Sequence, residues 1–317
     1  MTTAPPHAPE TGWMRRLLGD YHVTGVFWYR FHRFGVSVLP NWGKCLLMPL
    51  FTTFFFLVLF KIRRAIASNL EAVLGPCGFF RRQARIYRTV WDFAWCLSER
   101  YETLTADCDI AFTVEGEELW RDQIARRQGF IVVTAHVGNW EVGPMLASTA
   151  YDAHIHIIRE KEVDPKAQEF IRGLIEAQGG AHYTVHFADD DDPSLGATLL
   201  LALRRGEIVA LQGDRPRATG RTIRVELFGK PVELPAGPAA LARAAGVPLV
   251  PVFIFREGRK RSRVVFPEVI EVPDTGNRDR DIRDVVQRLV THLETAIRRA
   301  PHQWFCFREL WPRATSD

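Results

Sequence analysis

The stretch "TAHVGNWEVG", residues 134–143, sets His136 and Glu141 five positions apart, directly after the apolar run "GFIVV". A histidine at the exit of a buried strand can serve as a general base, because its ordinary pKa lies close to neutrality. The following "NWEVGPMLASTA" reads as a helix with Asn139 as its N-cap. That places Glu141 in the first turn, where the helix dipole favours a carboxylate. From there Glu141 can fold back onto the imidazole, fix its tautomer and stabilise the imidazolium. No G-x-S-x-G elbow supplies a nucleophilic serine. The pair therefore suits direct attack by a deprotonated substrate hydroxyl on an electrophile; a capped turn with a satisfied histidine is the alternative.

The elements that must position this pair follow from hydrophobic patterning. "IAFTVEG" and "GFIVVTAH" read as strands around the helix "EELWRDQIARRQG". "AHIHIIRE", "IVALQGD", "VPLVPVFIF" and "RVVFPEVIEV" add strands. "PKAQEFIRGLIEAQGG", "SLGATLLLALRRGE" and "GPAALARAAG" add helices, and "FADDDDPS" is an acidic loop. A final amphipathic helix carries Ile282, Val285, Val286, Leu289, Val290, Leu293 and Ile297 on one face. Alternation of this kind predicts an α/β fold with a mixed, largely parallel central sheet flanked by helices. Ligands of such sheets gather at the carboxyl ends of the strands, where His136 falls.

Residues 1–106 form a predicted helical region ahead of a catalytic domain at 107–317. Its most apolar segment, Cys45 to Phe60, lies between Lys44 and Lys61. As a helix it rises roughly 24 Å, short of the roughly 30 Å hydrocarbon core. Trp42 and the flanking lysines can make up the difference by snorkelling. Pro49 falls near the start of this segment, where it disturbs a helix least. A membrane-embedded or re-entrant anchor, a buried core helix and a cleaved segment all fit. "KIRR" and "RRQARIYR" after the segment favour a cytoplasmic catalytic domain, although Arg30, Arg33 and Lys44 also precede it. From Arg63 to about Ala106 an aromatic stripe with interleaved arginines predicts continuous helix, mostly core, with a basic face suited to a membrane surface. The leader "MTTAPPHAPETG" lacks the pattern of a secretory signal.

Composition narrows the class further. With 47% hydrophobic and 25% charged residues and a formal charge of +4, the chain is globular and has no bulk demand for nucleic acid. Five cysteines without C-x-x-C spacing point to neither a disulfide framework nor a structural zinc site. Cys306 has no activating neighbour in sequence. His154 and His156, with His182, His186 and Asp189 to Asp192, offer a rival metal site of a phosphodiesterase type; polar edge positions and a solvated loop explain them more simply.

The wording "HVGNWE" resembles the first motif of the lysophospholipid acyltransferase superfamily, and specifically its lipid A biosynthesis lauroyl/myristoyl acyltransferase branch. Further blocks agree in order. "IIREKEVDP" carries Arg159 of a second block, and "LQGDRPRATGRTIRVELFGKPVELPAGPAALARAAGVPLVPVFIF" resembles a third. "FPEV" resembles a fourth, and "APHQWFCFRELWP" resembles the closing segment. "GDRPR", "LFG" and "FRELW" depart from the wording common in that branch, which leaves the acceptor open.

The resemblance implies a fatty acyl thioester donor on acyl carrier protein, or on coenzyme A. It implies a glycolipid acceptor hydroxyl at the cytoplasmic face of a bacterial inner membrane, with neither a metal nor an organic cofactor. His136 is then the base and Glu141 its support. Asn139, Arg159, Asp214, Arg215, Arg217, Phe228, Gly229, Pro235 and Gly237 become substrate-binding candidates. Arginines, Arg221 among them, clamp phosphate; glycines permit close approach or positive φ. Backbone groups near Gly138 and Asn139, or the side chain of Arg159, are oxyanion donors. The same chemistry on a phosphoinositide mannoside, lysophospholipid or polyene lipid is the nearest alternative. A His-dependent hydrolase and a non-catalytic membrane lipid-binding protein are the others. Acyl chain length and oligomeric state stay open.

Overall fold

A computed structural model of the chain describes residues 26–105, 110–143, 154–162, 164–177, 183–188, 194–215 and 220–312. Four helices come first: α1 (Val26–Val38), α2 (Asn41–Val58), α3 (Phe60–Leu74) and α4 (Phe79–Thr105). The apolar segment is thus not one helix to Phe60. It starts earlier, after Pro40, and breaks at Leu59, which takes a non-helical conformation. Because of that earlier start Pro49 lies in the helix interior, where its missing N–H removes one backbone hydrogen bond. The continuous helix expected from Arg63 likewise divides at Gly75, whose φ of 74° ends α3 ahead of Pro76.

Seven strands form the main sheet: β1 (Ala111–Glu115), β2 (Phe130–Gly138), β3 (Ile155–Glu160), β4 (Tyr183–Ala188), β5 (Ile208–Gln212), β8 (Leu249–Gly258) and β9 (Arg261–Val265). Between β5 and β8 lies an antiparallel hairpin, β6 (Thr222–Leu227) and β7 (Lys230–Pro235). The sheet order is β1-β9-β8-β2-β5-β3-β4, and every pairing is parallel except β8 with β9. Helices α5 (Glu117–Ala125), α6 (Pro165–Ala177), α7 (Ser194–Arg204), α8 (Gly237–Ala245) and α9 (Arg278–Arg299) connect the strands and close the fold. The expected mixed, largely parallel sheet flanked by helices is the one observed.

β2 is buried along its whole length, as expected of a parallel strand covered on both faces. Its alternate residues feed two cores. Ile131, Val133, Ala135 and Val137 pack with α7, α8, α9 and the hairpin, whereas Phe130 and Val132 pack with Trp120 of α5 and Phe266. β2 and β5 are parallel neighbours in the middle of the sheet, and open α/β sheets bind ligands outside the carboxyl ends of their strands. His136 and Asp214 stand at the carboxyl ends of these two strands.

Some elements differ from expectation. "RVVFPEVIEV" is strand only to Val265, with Ile270 rejoining through an isolated bridge to Leu249; Pro267 has no N–H to continue a ladder. β4 and the β6–β7 hairpin were not anticipated. Positions 139–142 form a turn, and the remainder of the helix expected there falls on residues outside those described, as does the 106/107 domain boundary.

The C-terminal segment is held down by Asn69 of α3. Its Nδ2 donates to the carbonyls of Cys306 (3.0 Å) and Arg308 (2.8 Å), and its Oδ1 accepts from the Leu310 amide (3.2 Å). Phe93 of α4 packs edge-on against both Phe305 and Phe307. Asn69→Ala orphans three backbone groups, each worth on the order of 1 kcal/mol or more. Denaturant unfolding should show a loss of about 2 kcal/mol or more; an unchanged midpoint would contradict this role.

Candidate active site

β2 delivers His136 through an irregularity. Its ladder with β5 ends at Thr134, and against β8 four residues of β2 advance while β8 advances two, from Thr134↔Val252 to Gly138↔Ile254. Such a bulge re-aims a side chain at a strand end. The bulged strand is capped by the C-terminal segment: the Phe305 amide donates to the His136 carbonyl (2.8 Å), and Val137 bridges Trp304. Gly138 follows with φ of 56°, and a Cβ there would lie 2.1 Å from the Ile254 carbonyl. Only glycine fits that turn.

His136 Nδ1 lies 2.8 Å from Asp214 Oδ1, in a contact that is almost entirely buried. The other carboxylate oxygen, Oδ2, accepts from Trp304 Nε1 at 3.1 Å. Burial alone would raise the Asp214 pKa. The His136 charge and hydrogen bond, the nearby Arg215 charge and the Trp304 indole outweigh it and hold the carboxyl at about 2. An ionised Asp214 makes Nδ1 the protonated nitrogen and leaves Nε2 as the basic one. Trp140 flanks the imidazole with ring centroids 5.2 Å apart.

Glu141 acts on His136 through charge, with no hydrogen bond to the imidazole among the described residues. Its carboxylate is ion-paired with Arg100 of α4 (2.8 Å) and Arg159 of β3 (3.0 Å). The expected first-turn position is occupied by a turn instead of a helix, and Asp214 takes the place beside the imidazole. Burial would raise the Glu141 pKa, but Arg100 and Arg159 together lower it. Two guanidinium groups thus hold the Glu141 carboxylate ionised.

Asn139 is not an N-cap. Its Nδ2 donates to Glu99 Oε2 (2.8 Å) and Ser262 Oγ (2.9 Å), and its Oδ1 has no hydrogen-bond partner among the described residues. The Asn139 backbone N–H is committed to the Ile254 carbonyl (3.0 Å). That removes it as an oxyanion donor, and Arg159 remains the cation nearest to Glu141 in the predicted set. Arg215 follows Asp214 and acts on it by charge; Arg217 lies outside the described residues.

Phe228, Gly229, Pro235 and Gly237 do not join this group. Phe228 and Gly229, with φ of 54° and 68°, are the two-residue tip of the β6–β7 hairpin. The Phe228 amide donates to Glu294, and Arg298 stacks over its ring, both on α9. Pro235 closes β7 opposite Thr222, and Gly237 opens α8 with nothing within 4 Å of where a Cβ would stand. Their recorded partners serve the scaffold. Arg221 pairs with Asp279 on the surface (2.7 Å).

Among the described residues no three His, Cys, Asp or Glu side chains are grouped to hold a metal ion. His156 instead links Glu207 (2.7 Å) and His186 (2.9 Å), and His154 bonds Thr184. His182 and Asp189 to Asp192 lie outside the description. Burial pushes the Cys306 thiol up to about 12, which makes it a poor nucleophile.

Arg100 and Glu99, which pair with Glu141 and Asn139, were not singled out from sequence, and Trp304 was noted only within the closing motif. Glu99 and Glu102 lie on the inner side of α4, fully or almost fully buried. Acidic side chains three apart on an aromatic stripe were the available signal.

The chain matches the family described as bacterial lipid A biosynthesis acyltransferase over residues 18–313. It is also similar to a phosphatidylinositol mannoside acyltransferase of Mycolicibacterium smegmatis, 24% identical over 259 residues that cover 80% of either chain. A phosphatidylinositol mannoside acyltransferase of Mycobacterium tuberculosis is 24% identical over 188 residues, 59% of this chain and 56% of that one.

Asp214→Asn removes the charge that fixes the imidazole. It should lower kcat by about 10²- to 10⁴-fold with circular dichroism unchanged. The carboxyl has a depressed folded-state pKa, so its stabilisation is complete above about pH 4, the ordinary aspartate range, and is lost as pH falls toward 2. The variant should accordingly lose the acid-dependent part of its stability in that window. A full-activity variant would remove Asp214 from the site.

Proposed function

This chain belongs to the bacterial lipid A biosynthesis acyltransferase family, and from that premise we propose that it moves a fatty acyl chain from a thioester to a sugar hydroxyl of a phosphate-bearing membrane glycolipid. Membership makes it an acyltransferase. The donor we infer is acyl carrier protein, with coenzyme A as the second candidate. The thioester is already activated, so the reaction needs neither a metal nor an organic cofactor. We infer that the site works at the cytoplasmic face of the inner membrane.

The observation that carries the catalytic assignment is an imidazole held at Nδ1 by a fully buried carboxylate, at the carboxyl ends of the neighbouring strands β2 and β5. His136 Nε2 takes the proton of the acceptor hydroxyl as its oxygen attacks the thioester carbonyl. Asp214, as a positioning residue, stabilises the imidazolium through Nδ1–H. When the tetrahedral intermediate collapses, the carbon–sulfur bond breaks and the imidazolium returns its proton to the departing thiolate. The products are an ester and a free thiol. Arg159, held by Glu141, is the proposed oxyanion donor, a type of interaction worth on the order of 10²-fold or more. Arg100 shares the same carboxylate and keeps it ionised.

Two acceptors have specific support. Family membership favours a glycolipid of the lipid A type, and the mycobacterial relatives favour a phosphatidylinositol mannoside. Both present sugar hydroxyls beside phosphate, a group that arginines such as Arg159 and Arg215 suit.

Mass spectrometry of lipids from cells with and without the protein should show one glycolipid heavier by one acyl chain. His136→Ala should abolish that gain. Thioester loss with release of free fatty acid and no acylated lipid would instead mark a hydrolase, and undiminished transfer by the variant would overturn the role of His136.

A further inference from the structure

Consecutive residues of the C-terminal segment reach the site, and each makes a different tie. A 3₁₀ turn, Pro301–Gln303, delivers them. The Gln303 side chain closes a ring on β8: its Oε1 accepts from the Arg256 amide and its Nε2 donates to the Arg256 carbonyl, both at 2.8 Å. Arg256 lies just past Ile254, where the pairing of β8 with β2 ends. The glutamine amide thus continues that pairing after β2 has turned away. Gly138 leaves it room, because a Cβ there would stand 2.8 Å from Gln303 Oε1. On the other side, the Phe305 amide holds the His136 carbonyl. Between these anchors Trp304 is almost fully buried and bridges Val137.

Trp304 brings Asp214 a donor with no other chemistry. An indole N–H neither accepts nor titrates, so its bond to Oδ2 (3.1 Å) does not depend on the charge of the histidine. The terminal torsion of a carboxylate is broad and its two oxygens are equivalent. A fixed donor on Oδ2 makes them unequal and leaves Oδ1 to face His136 Nδ1 at 2.8 Å. The same donor draws negative charge toward Oδ2, which weakens the hold of Oδ1 on an imidazolium.

Other charged or titratable groups act on this pair from three sides. Arg215 follows Asp214, Cys306 lies on the C-terminal segment, and Glu141 sits in the loop after β2. The arginine stays charged throughout. Burial pushes the Cys306 thiol up to about 12. Burial would also raise the Glu141 pKa, but Arg100 and Arg159 hold it below its ordinary value. None of these changes charge near neutrality, so loss of the indole N–H alters the electrostatics of the pair at one point.

We propose that Trp304 is a positioning residue for the base: its indole N–H selects the oxygen of Asp214 that meets His136 and moderates how tightly the imidazole holds a proton. This rests on the reading of His136 as the base of acyl transfer. In that reaction the histidine must both take the proton of the acceptor hydroxyl and give it to the departing thiolate, and a base that binds it too tightly slows the second step. The closing segment is then part of the proton-transfer apparatus, with Gln303 and the Phe305 amide as its two clamps.

Trp304→Phe keeps an aromatic ring in the packing and removes the N–H. In nitrogen-15 NMR without substrate, the midpoint of the His136 titration should move up by about half to one pH unit, a roughly three- to tenfold tighter hold on the proton. The acid limb of kcat/KM should move with it. A folded variant whose His136 titration stays in place would overturn the proposal and leave Trp304 a packing residue. If the variant does not fold, the unmodified chain decides. The indole N–H resonance displaced by Asp214→Asn should move as His136 titrates, and a signal indifferent to that titration would overturn the proposal equally. These titrations need no acyl donor. A moved midpoint in a chain that transfers no acyl group would fault the catalytic reading alone, and an unmoved one with transfer intact would fault this inference alone.

Discussion

A carboxylate with no exposure to solvent must be paired on both oxygens, and Asp214 sits under that constraint. Burying an unpaired charge costs several kcal/mol, so the fold has to bring it two donors. One is the imidazole of His136, delivered by the bulge at the end of β2. The other is the indole of Trp304, delivered by a C-terminal segment that returns across the sheet. Much of the surrounding structure serves this meeting. Asn69 and Phe93 hold the C-terminal segment in place, the Phe305 amide caps the bulged strand, and Gly138 allows the sharp turn that follows. The same pairing that stabilises the carboxylate selects the tautomer of the histidine, so packing and chemistry here are one arrangement.

A second set of buried carboxylates, on α4 and just beyond β2, ties the helical region to the catalytic sheet. Glu99 gathers Asn139, Arg256 and the Lys260 amide; Glu102 gathers Lys44, Arg259 and Lys260. Glu141 gathers Arg100 and Arg159. Each is a hydrogen-bonded ionic cluster, the form in which buried charge is tolerated. These clusters join α2, α4, the β8–β9 turn and the histidine loop. Residues before 106 are accordingly part of the site, although Arg100 is far from His136 in sequence.

The sheet, its helices and the position of His136 were legible in the sequence because each rests on local signals. A buried apolar run with a polar cluster at its exit is such a signal, and so is the amphipathic period of α9. Asp214 could be placed at a strand end for the same reason. What it touches depends on strand order, which no local pattern encodes. Sequence proximity misled at Glu141, where five residues along the chain suggested contact and a turn carried the carboxylate to two arginines. Phe228 and Gly229 were visible as a motif, but a two-residue hairpin tip with positive φ at both positions explains the pair, and Phe228 makes its contacts with α9. Arg100 and Glu99 were hidden because charges within an amphipathic helix usually face water. The break of α2 at Leu59 escaped because no proline or glycine marks it in the sequence.

The proposed base chemistry requires that Nδ1 of His136, and not Nε2, carries the proton in the resting enzyme. Nitrogen-15 NMR of histidine-labelled protein, with His136 assigned through its alanine variant, reads this directly. The Asp214 contact predicts the Nδ1–H tautomer at neutral pH, with Nε2 unprotonated, and loss of that preference in Asp214→Asn. A neutral His136 protonated at Nε2, unaffected by the Asp214 substitution, would contradict the account.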